Sequence, residues 1–156
     1  MEEYRDIEGY EGLYSVSDHG NVYSHKTNKV LKPKSNKINR KRVGLSKPGI
    51  IENKRISQLV AMAFLGHVPN GITIVVDHID NNPANDHLSN LQLISTRLNT
   101  SKDKVKKNGL PTGVYQRKNR FHTRICINGI RVTLGTFDTA EEASNAYQNA
   151  LANIEQ

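Results

Sequence analysis

The stretch VVDHIDNNPANDHLSNLQLISTRLN, residues 75–99, decides how this chain is organised. It opens on β-branched residues that end in the pair Asp77-His78. A polar loop rich in turn-formers follows, with Pro83 inside it, and a second apolar run returns over Leu91–Ser95. β-Branched runs bounded by Asn, Asp and Pro clusters read as strands joined by a loop. The pattern predicts strands over Ile72–Asp77 and Leu91–Ser95, then a helix from near Thr96 into the Lys-rich 102–107 segment. Such a ββα hairpin can bring Asp77, His78 and Asn99 together, although 22 residues separate the first from the last.

The chemistry of these side chains is specific. Asp77 offers an anionic oxygen and Asn99 a neutral carbonyl oxygen, both suited to a hard cation such as Mg²⁺ or Mn²⁺. A metal held by two protein groups keeps room for water and for phosphodiester oxygens. A neutral His78 could deprotonate the attacking water. Adjacent residues on a regular strand face opposite ways, so Asp77 and His78 can serve one site only if the strand twists or ends there. A purely structural account competes: Asp77 caps the loop, His78 donates to a carbonyl, and the asparagines make Asx-turns. Within the loop, Asp80, Asn81, Asn82, Asn85, Asp86 and His87 are the extra candidates, of which Asn82 and Asn85 read mainly as loop-formers. His87 has two readings, a phosphate or second-metal contact or simple exposure. His19, His25, His67 and His122 have no comparable partners in sequence and stay outside the catalytic set.

Outward from the hairpin, Arg55–Phe64 places Ile56, Leu59, Val60, Ala63 and Phe64 on one helical face. Gly66 and the PNG at 69–71 end it. Leu13–Val16 and Asn21–Ser24 read as short strands around the turn SDHG, whereas Lys29–Asn53 is basic and irregular and yields no assignment. After a punctuating NGLPTG at 108–113, Gly113–Gln116, Phe121–Ile127 and Ile130–Leu134 read as three strands, the last two joined by Asn128-Gly129. Thr139 and Glu142 form a capping-box pattern. The helix beyond it carries Ala140, Ala143, Ala146, Tyr147, Ala150, Leu151 and Ile154 on one face.

Charge is partitioned along the chain. The total of +7 comes from 22 basic and 15 acidic residues. By segment, 1–28 is −4, 29–56 is +9, 57–99 is −2, 100–124 is +7 and 125–156 is −3. Two cationic stretches therefore bracket the segment rich in His, Asn and Asp. Each alone reads as a solvated basic loop; the pair reads as backbone-gripping elements around a site, with Lys32, Lys34, Lys37, Arg40, Lys41 and Arg42 in the first.

Composition excludes several classes. The 36% hydrophobic content of 156 residues points to two or three small cores rather than one large one. Cys126 is the sole cysteine, which excludes an internal disulfide framework and a Cys-rich zinc site. There is no apolar run of about 18 residues to span a membrane. The acidic N-terminus MEEYRDIEGYEG lacks a signal-peptide core. A cytoplasmic protein is expected.

The motifs also resemble a known family. Residues 75–99 look like the HNH nuclease motif of phage and intron homing endonucleases, with the 77–99 spacing intact. The resemblance implies Asp77 and Asn99 as metal ligands, His78 as general base and Asn90 as the central Asn that ties the hairpin together and holds the His. Many relatives have His where Asn99 stands, so this is an HNN version, which argues against tightly bound zinc. YRDIEGYEGLYSVSDHGNVYSHKTNKVLK, residues 4–32, resembles the NUMOD4-like module that accompanies such nucleases, with Tyr4 in place of the usual Trp. ISQLVAMAF, residues 56–64, resembles the helix before their hairpin, where His often stands at the position of Ser57. TGVYQRKNRFHTRICINGIRVTLGTFDTAEEASNAYQNA, residues 112–150, resembles the AP2 DNA-binding domain, with Phe121 in place of Trp. That likeness implies a sheet in the major groove with Arg120, His122, Arg124, Arg131 and Thr133 on the reading face. Arg117 and Lys118 suit phosphate contacts.

The expectation is an α+β, modular chain: a small N-terminal β module and basic segment (1–53), a central ββα-metal HNH nuclease domain (54–107), and an AP2-like three-stranded sheet plus helix (108–156). The expected activity is site-specific hydrolysis of double-stranded DNA with one Mg²⁺ or Mn²⁺. One site per chain implies a monomer that nicks one strand, with no membrane contact and no protein partner identified. The bacterial host cytoplasm would be its location if it is phage- or intron-encoded. The alternative is a non-catalytic, sequence-specific DNA-binding or regulatory protein with a nuclease-like hairpin.

Overall fold

The computed structural model describes residues 1–69, 73–101, 108–127 and 129–154, which form two compact units, Met1–Ile94 and Ser95–Gln156. The architecture is α+β.

The first unit starts with a four-stranded antiparallel sheet in chain order, β1 (Tyr4–Asp6), β2 (Tyr14–Ser17), β3 (Val22–Ser24) and β4 (Lys29–Val30). The two expected strands are its centre, with Val16 opposite Val22. The edges β1 and β4 escaped the sequence reading because they are only three and two residues long and exposed. The SDHG turn closes with Gly20 N–H donating to Ser17 O, Gly20 at φ +79°, a conformation glycine adopts at little cost.

The basic stretch that gave no assignment is a second sheet, β5 (Lys34–Ser35), β6 (Lys41–Lys47) and β7 (Ile50–Arg55). Its pattern is hidden because only Val43 and Leu45 point into the core, and Lys or Arg occupies many other positions. Helix α1 (Ile56–Leu65) then lays Ile56, Leu59 and Val60 onto the core, with Ala63 and Phe64 packed at its margin. Gly66 ends it in the left-handed region, as expected.

One core joins these pieces: Ile7 and Tyr10 from the β1–β2 connection, Tyr14, Val16 and Val22 from the first sheet, Val43 and Leu45 from the second, the α1 face, and Leu91. Residues on both sides of position 53 thus share a single buried cluster. The Tyr10 hydroxyl, 2.7 Å from Glu52 Oε2, ties the two sheets further, and this bond to the carboxylate pushes its pKa up to about 12. The unit ends in a two-stranded sheet of β8 (Ile74–His78) and β9 (Leu91–Ser95). The expected start of β8 at Ile72 lies outside the described residues.

The second unit begins with α2 (Thr96–Ser101), where Ser95 Oγ accepts from Leu98 N–H and so starts the helix at the expected position. Its expected continuation over 102–107 lies outside the described residues. Strands β10 (Val114–Arg117), β11 (Arg120–Ile127) and β12 (Ile130–Phe137) form an antiparallel sheet in chain order, followed by α3 (Ala140–Ile154). β12 runs three residues past the expected Leu134. Gly129 sits at φ +82° in the β11–β12 turn, while Asn128 lies outside the described residues. The capping box forms in both directions, Glu142 N–H to Thr139 Oγ1 and Thr139 N–H to Glu142 Oε2, each 3.2 Å. Ala143 and Leu151 of α3 meet Val114, Thr123 and Ile125 of the sheet in full burial. Gly113 is required here: at φ +82°, an added Cβ would lie 2.1 Å from the Tyr147 ring.

Candidate functional site

Residues 77–90 fold into a hydrogen-bonded loop whose centre is Asn90. Its side chain is 8% exposed and saturated: Oδ1 accepts from Asp80 N–H at 3.1 Å, and Nδ2 donates to Asp80 Oδ1 at 2.9 Å and to Asn85 O at 2.8 Å. Its carbonyl accepts from Ile79 N–H at 2.9 Å. One amide therefore fastens the strand that enters the loop to the turn that leaves it. Buried amides with every group satisfied rigidify the segment around them.

Asp80 is the second hub. Besides Asn90, its carboxylate accepts from Asn82 N–H and from Asn85 Nδ2, each at 2.8 Å. The Asn85 amide first, then the Asn82 N–H and the Asn90 amide, hold its pKa below the usual aspartate value. Asn82 Oδ1 accepts from Ala84 N–H, an Asx-turn, so Asn82 and Asn85 are loop-formers as read. His87 Nδ1 accepts from Ser89 N–H and bonds Ser89 Oγ, which caps the short 3₁₀ turn Leu88–Asn90.

Asp77 and His78 are the last two residues of β8. Asp77 is 8% exposed, and its Oδ2 accepts from Gln92 Nε2 of β9 at 2.8 Å. His78 Nε2 lies 3.0 Å from Asp86 Oδ1. Asp86 is one of the extra loop candidates of the sequence, which does not say that it faces His78; Gln92 is not among them, because a side chain that faces an Asp-His pair across a hairpin has no spacing signature. Asn99 is half-buried on α2 in the second unit. Among the described residues no group of three or more His, Cys, Asp or Glu could hold a metal ion. The buried carboxylate of Asp77 is a hard oxygen donor, which fits an oxygen-preferring divalent cation rather than a soft thiolate site.

The first basic stretch sits on the second sheet. Lys34 on β5 faces Arg42 on β6, and Arg42 faces Arg55 on β7. Lys32, Lys37 and Arg40 are exposed, and Lys41 is half-buried. Burial first, then the charges of Arg40 and Arg42, hold the Arg55 guanidinium below the usual arginine range. Arg42 Nε is buried with no hydrogen-bond partner. Arg55 therefore joins the expected cationic set; its place at the start of a helix masked it in the sequence.

In the second unit, β11 buries Thr123 and Ile125 and turns Arg120, Arg124 and Cys126 outward. Thr133 lies opposite Arg124 and Arg131 opposite Cys126, which puts them on the same open face. Tyr115 of β10, opposite His122, stacks on its ring at 5.4 Å and carries the Arg124 guanidinium 5.0 Å from its centroid. Arg120 pairs with Asp138 at 3.0 Å, and His122 Nδ1 bonds Thr136 Oγ1 at 2.9 Å. Arg117 and the left-handed Lys118 are exposed at the β10–β11 turn. Tyr115, which pre-orients two of these groups, went unselected because a strand tyrosine reads first as packing.

Comparison with known proteins finds family matches for two segments, both before residue 101. Residues 2–46 match the NUMOD4 motif and residues 54–100 match the HNH endonuclease family. DNA endonuclease I-HmuI of Bacillus phage SP01 is 40% identical over 97 residues, 62% of this chain and 55% of that protein. An uncharacterized HNH endonuclease, L245 of Acanthamoeba polyphaga mimivirus, is 34% identical over 86 residues, 55% of this chain and 26% of its own length. A solved structure, described as DNA binding and cleavage by the HNH homing endonuclease I-HmuI, superposes with a TM-score of 0.58 over 63% of this chain and 55% of that one. The chain thus spans about half or less of the relatives it matches. Among the described residues no helix is long and apolar enough to cross a membrane. The chain thus holds a segment similar to the NUMOD4 motif, followed by one similar to the HNH endonuclease family.

Proposed function

We propose that the chain is a site-specific, homing-type DNA endonuclease that hydrolyses one strand of duplex DNA per active site with a single divalent metal. The observation that carries this reading is the loop 77–90: a strand ending in a buried Asp and a paired His, fastened by a saturated Asn90, inside a segment that matches the HNH endonuclease family.

In this reading His78 takes the proton of the attacking water, and Asn90 keeps the backbone on both sides of the loop in place while it does so. Asp77 and Asn99 would hold Mg²⁺ or Mn²⁺. When bound, the metal supplies charge neutralisation for the phosphate and for the departing oxygen. Gln92, by donating to Asp77 Oδ2, orients that carboxylate. Residues 54–107 would be the cutting domain and residues 1–53 a DNA-gripping one, with Lys32, Lys34, Lys37, Arg40, Lys41, Arg42 and Arg55 against phosphates. The concentration of the Arg40, Arg42 and Arg55 charges supports a polyanion as partner.

Residues 108–156 would act as an AP2-like recognition unit. Supporting this is the open face, where Tyr115 fixes Arg124 and His122 beside Arg131 and Thr133, while the opposite face is covered by α3. Arg117 and Lys118 would contact phosphate.

The deciding experiment is cleavage of supercoiled plasmid carrying candidate target DNA, with Mg²⁺, Mn²⁺ or EDTA, beside His78→Ala and with both strands mapped. Metal-dependent nicking of one strand that His78→Ala abolishes is the expected result. Binding without cutting would move the assignment to a DNA-binding regulator with a nuclease-like hairpin.

A further inference from the structure

Asp86 has no part in the chemistry just described, yet it is one of the most buried charged residues in the first unit, at 4% exposure. Its Oδ1 faces His78 Nε2 at 3.0 Å, and its Oδ2 is buried with no hydrogen-bond partner. Leaving a buried carboxylate oxygen unpaired is costly, and such groups concentrate where geometry serves a purpose beyond stability. A carboxylate can only accept, so against a neutral imidazole it selects the form protonated at Nε2 and puts the ring's lone pair on Nδ1.

The N-terminal motif fixes where Asp86 stands. Gly20 approaches it so closely that an added Cβ would lie 3.0 Å from both Asp86 Cβ and Asp86 O. Two residues further along, Leu88 N–H donates to Asp18 O at 2.7 Å, and between them the His87 ring lies 4.6 Å from the His19 ring. The turn 18–20 thus meets the loop 86–88 residue against residue.

We propose that Asp86 is a positioning residue that sets the tautomer and orientation of His78, and that the SDHG turn of the N-terminal motif is the brace that holds it. The N-terminal motif then belongs to the cutting machinery as well as to any grip on DNA. This rests on the reading of His78 as the base.

Two measurements on the full chain test it. The first is long-range ¹H–¹⁵N NMR of the His78 ring, without DNA or metal and at a pH where the ring is neutral. Wild type is expected to carry the proton on Nε2, Asp86→Ala to show a mixture of tautomers, and Asp86→Asn, which keeps an oxygen acceptor, to restore the wild-type pattern. The second is single-turnover nicking of plasmid with Mg²⁺ at saturating protein, with DNA affinity measured separately. Asp86→Ala is expected to slow nicking by about 10- to 100-fold at unchanged affinity. Asp86→Asn should recover most of that rate, and Gly20→Ala should move both readouts in the direction of Asp86→Ala.

A wild-type His78 protonated at Nδ1 would overturn the proposal without any variant having to fold. So would an Asp86→Ala protein that keeps the wild-type tautomer or nicks at the wild-type rate. Undiminished nicking by His78→Ala would instead remove the reading of His78 as base, while the NMR result still decides the Asp86 pairing.

Discussion

The loop between Asp77 and Asn90 and the open sheet face of the second unit are both polar, but they are built on opposite principles. In the loop, Asn90 and Asp80 are closed around backbone groups and around each other, and His78 has a dedicated buried carboxylate. On the sheet face, Arg124 and Arg131 project from strands into solvent, and Tyr115 lies against the first. A reacting proton needs a base fixed to a fraction of an ångström, which a satisfied buried network provides. A groove of DNA needs long cationic arms that can adjust, and their contribution falls as salt rises. The same contrast separates side chains whose loss should abolish cutting from those whose loss should redirect it.

The largest effect is expected in the loop. His78→Ala should reduce the single-turnover nicking rate by roughly 10²- to 10⁴-fold, the usual worth of a general base, with DNA affinity unchanged. A variant that binds tenfold less well but cuts at the full rate once bound would place His78 with the binding residues and erase the contrast. Asn90→Ala should act on stability as well. It removes the bonds to the Asp80 N–H and to the half-buried Asn85 carbonyl, the latter worth about 1 kcal/mol, read as a lower midpoint of denaturant unfolding. An unchanged midpoint would mean that the loop is not held through this amide.

On the sheet face the expected signature differs in kind. Arg124→Ala should cost about 1–3 kcal/mol on the preferred target and little on unrelated duplex, whereas Lys118→Ala should weaken both alike and lower the salt slope by about one. Equal losses for Arg124→Ala on every sequence would make this face a phosphate platform. Smaller still is Thr139→Ala, which opens the capping box of α3 and should destabilise the second unit by about 1 kcal/mol in thermal unfolding, with cleavage chemistry untouched.

Acid provides the mildest probe of the loop. Because Asp80 has a lowered pKa in the fold, its contribution is complete above the unfolded value of 3.8 and is lost as pH falls through the lower folded value. Hydrogen exchange of the Asn82 amide should therefore accelerate only in strongly acidic solution, and Asp80→Asn should flatten that dependence. An acceleration centred near neutral pH would implicate a different group.

Much of this was legible in residues 75–99. β-Branched runs around a Pro- and Asn-rich loop are a local signal, and so were the α1 face, the glycine stop at Gly66 and the Thr139–Glu142 box. Each depends on residues within about one turn or one pleat of one another. The C-terminal face was legible for the same reason, since strand alternation alone sends Arg120, His122 and Arg124 to one side. The second sheet was not, because two buried positions, Val43 and Leu45, cannot outvote the lysines and arginines around them.

The sequence by itself determined on which elements the candidate side chains ride, because propensity, periodicity and turn residues act over short distances. Only the tertiary structure decided who holds them. Asp86 against His78, Gln92 against Asp77, Gly20 against Asp86 and Tyr10 against Glu52 are pairings across 8, 15, 66 and 42 positions. No local rule encodes them, because packing around one shared core brings those surfaces together.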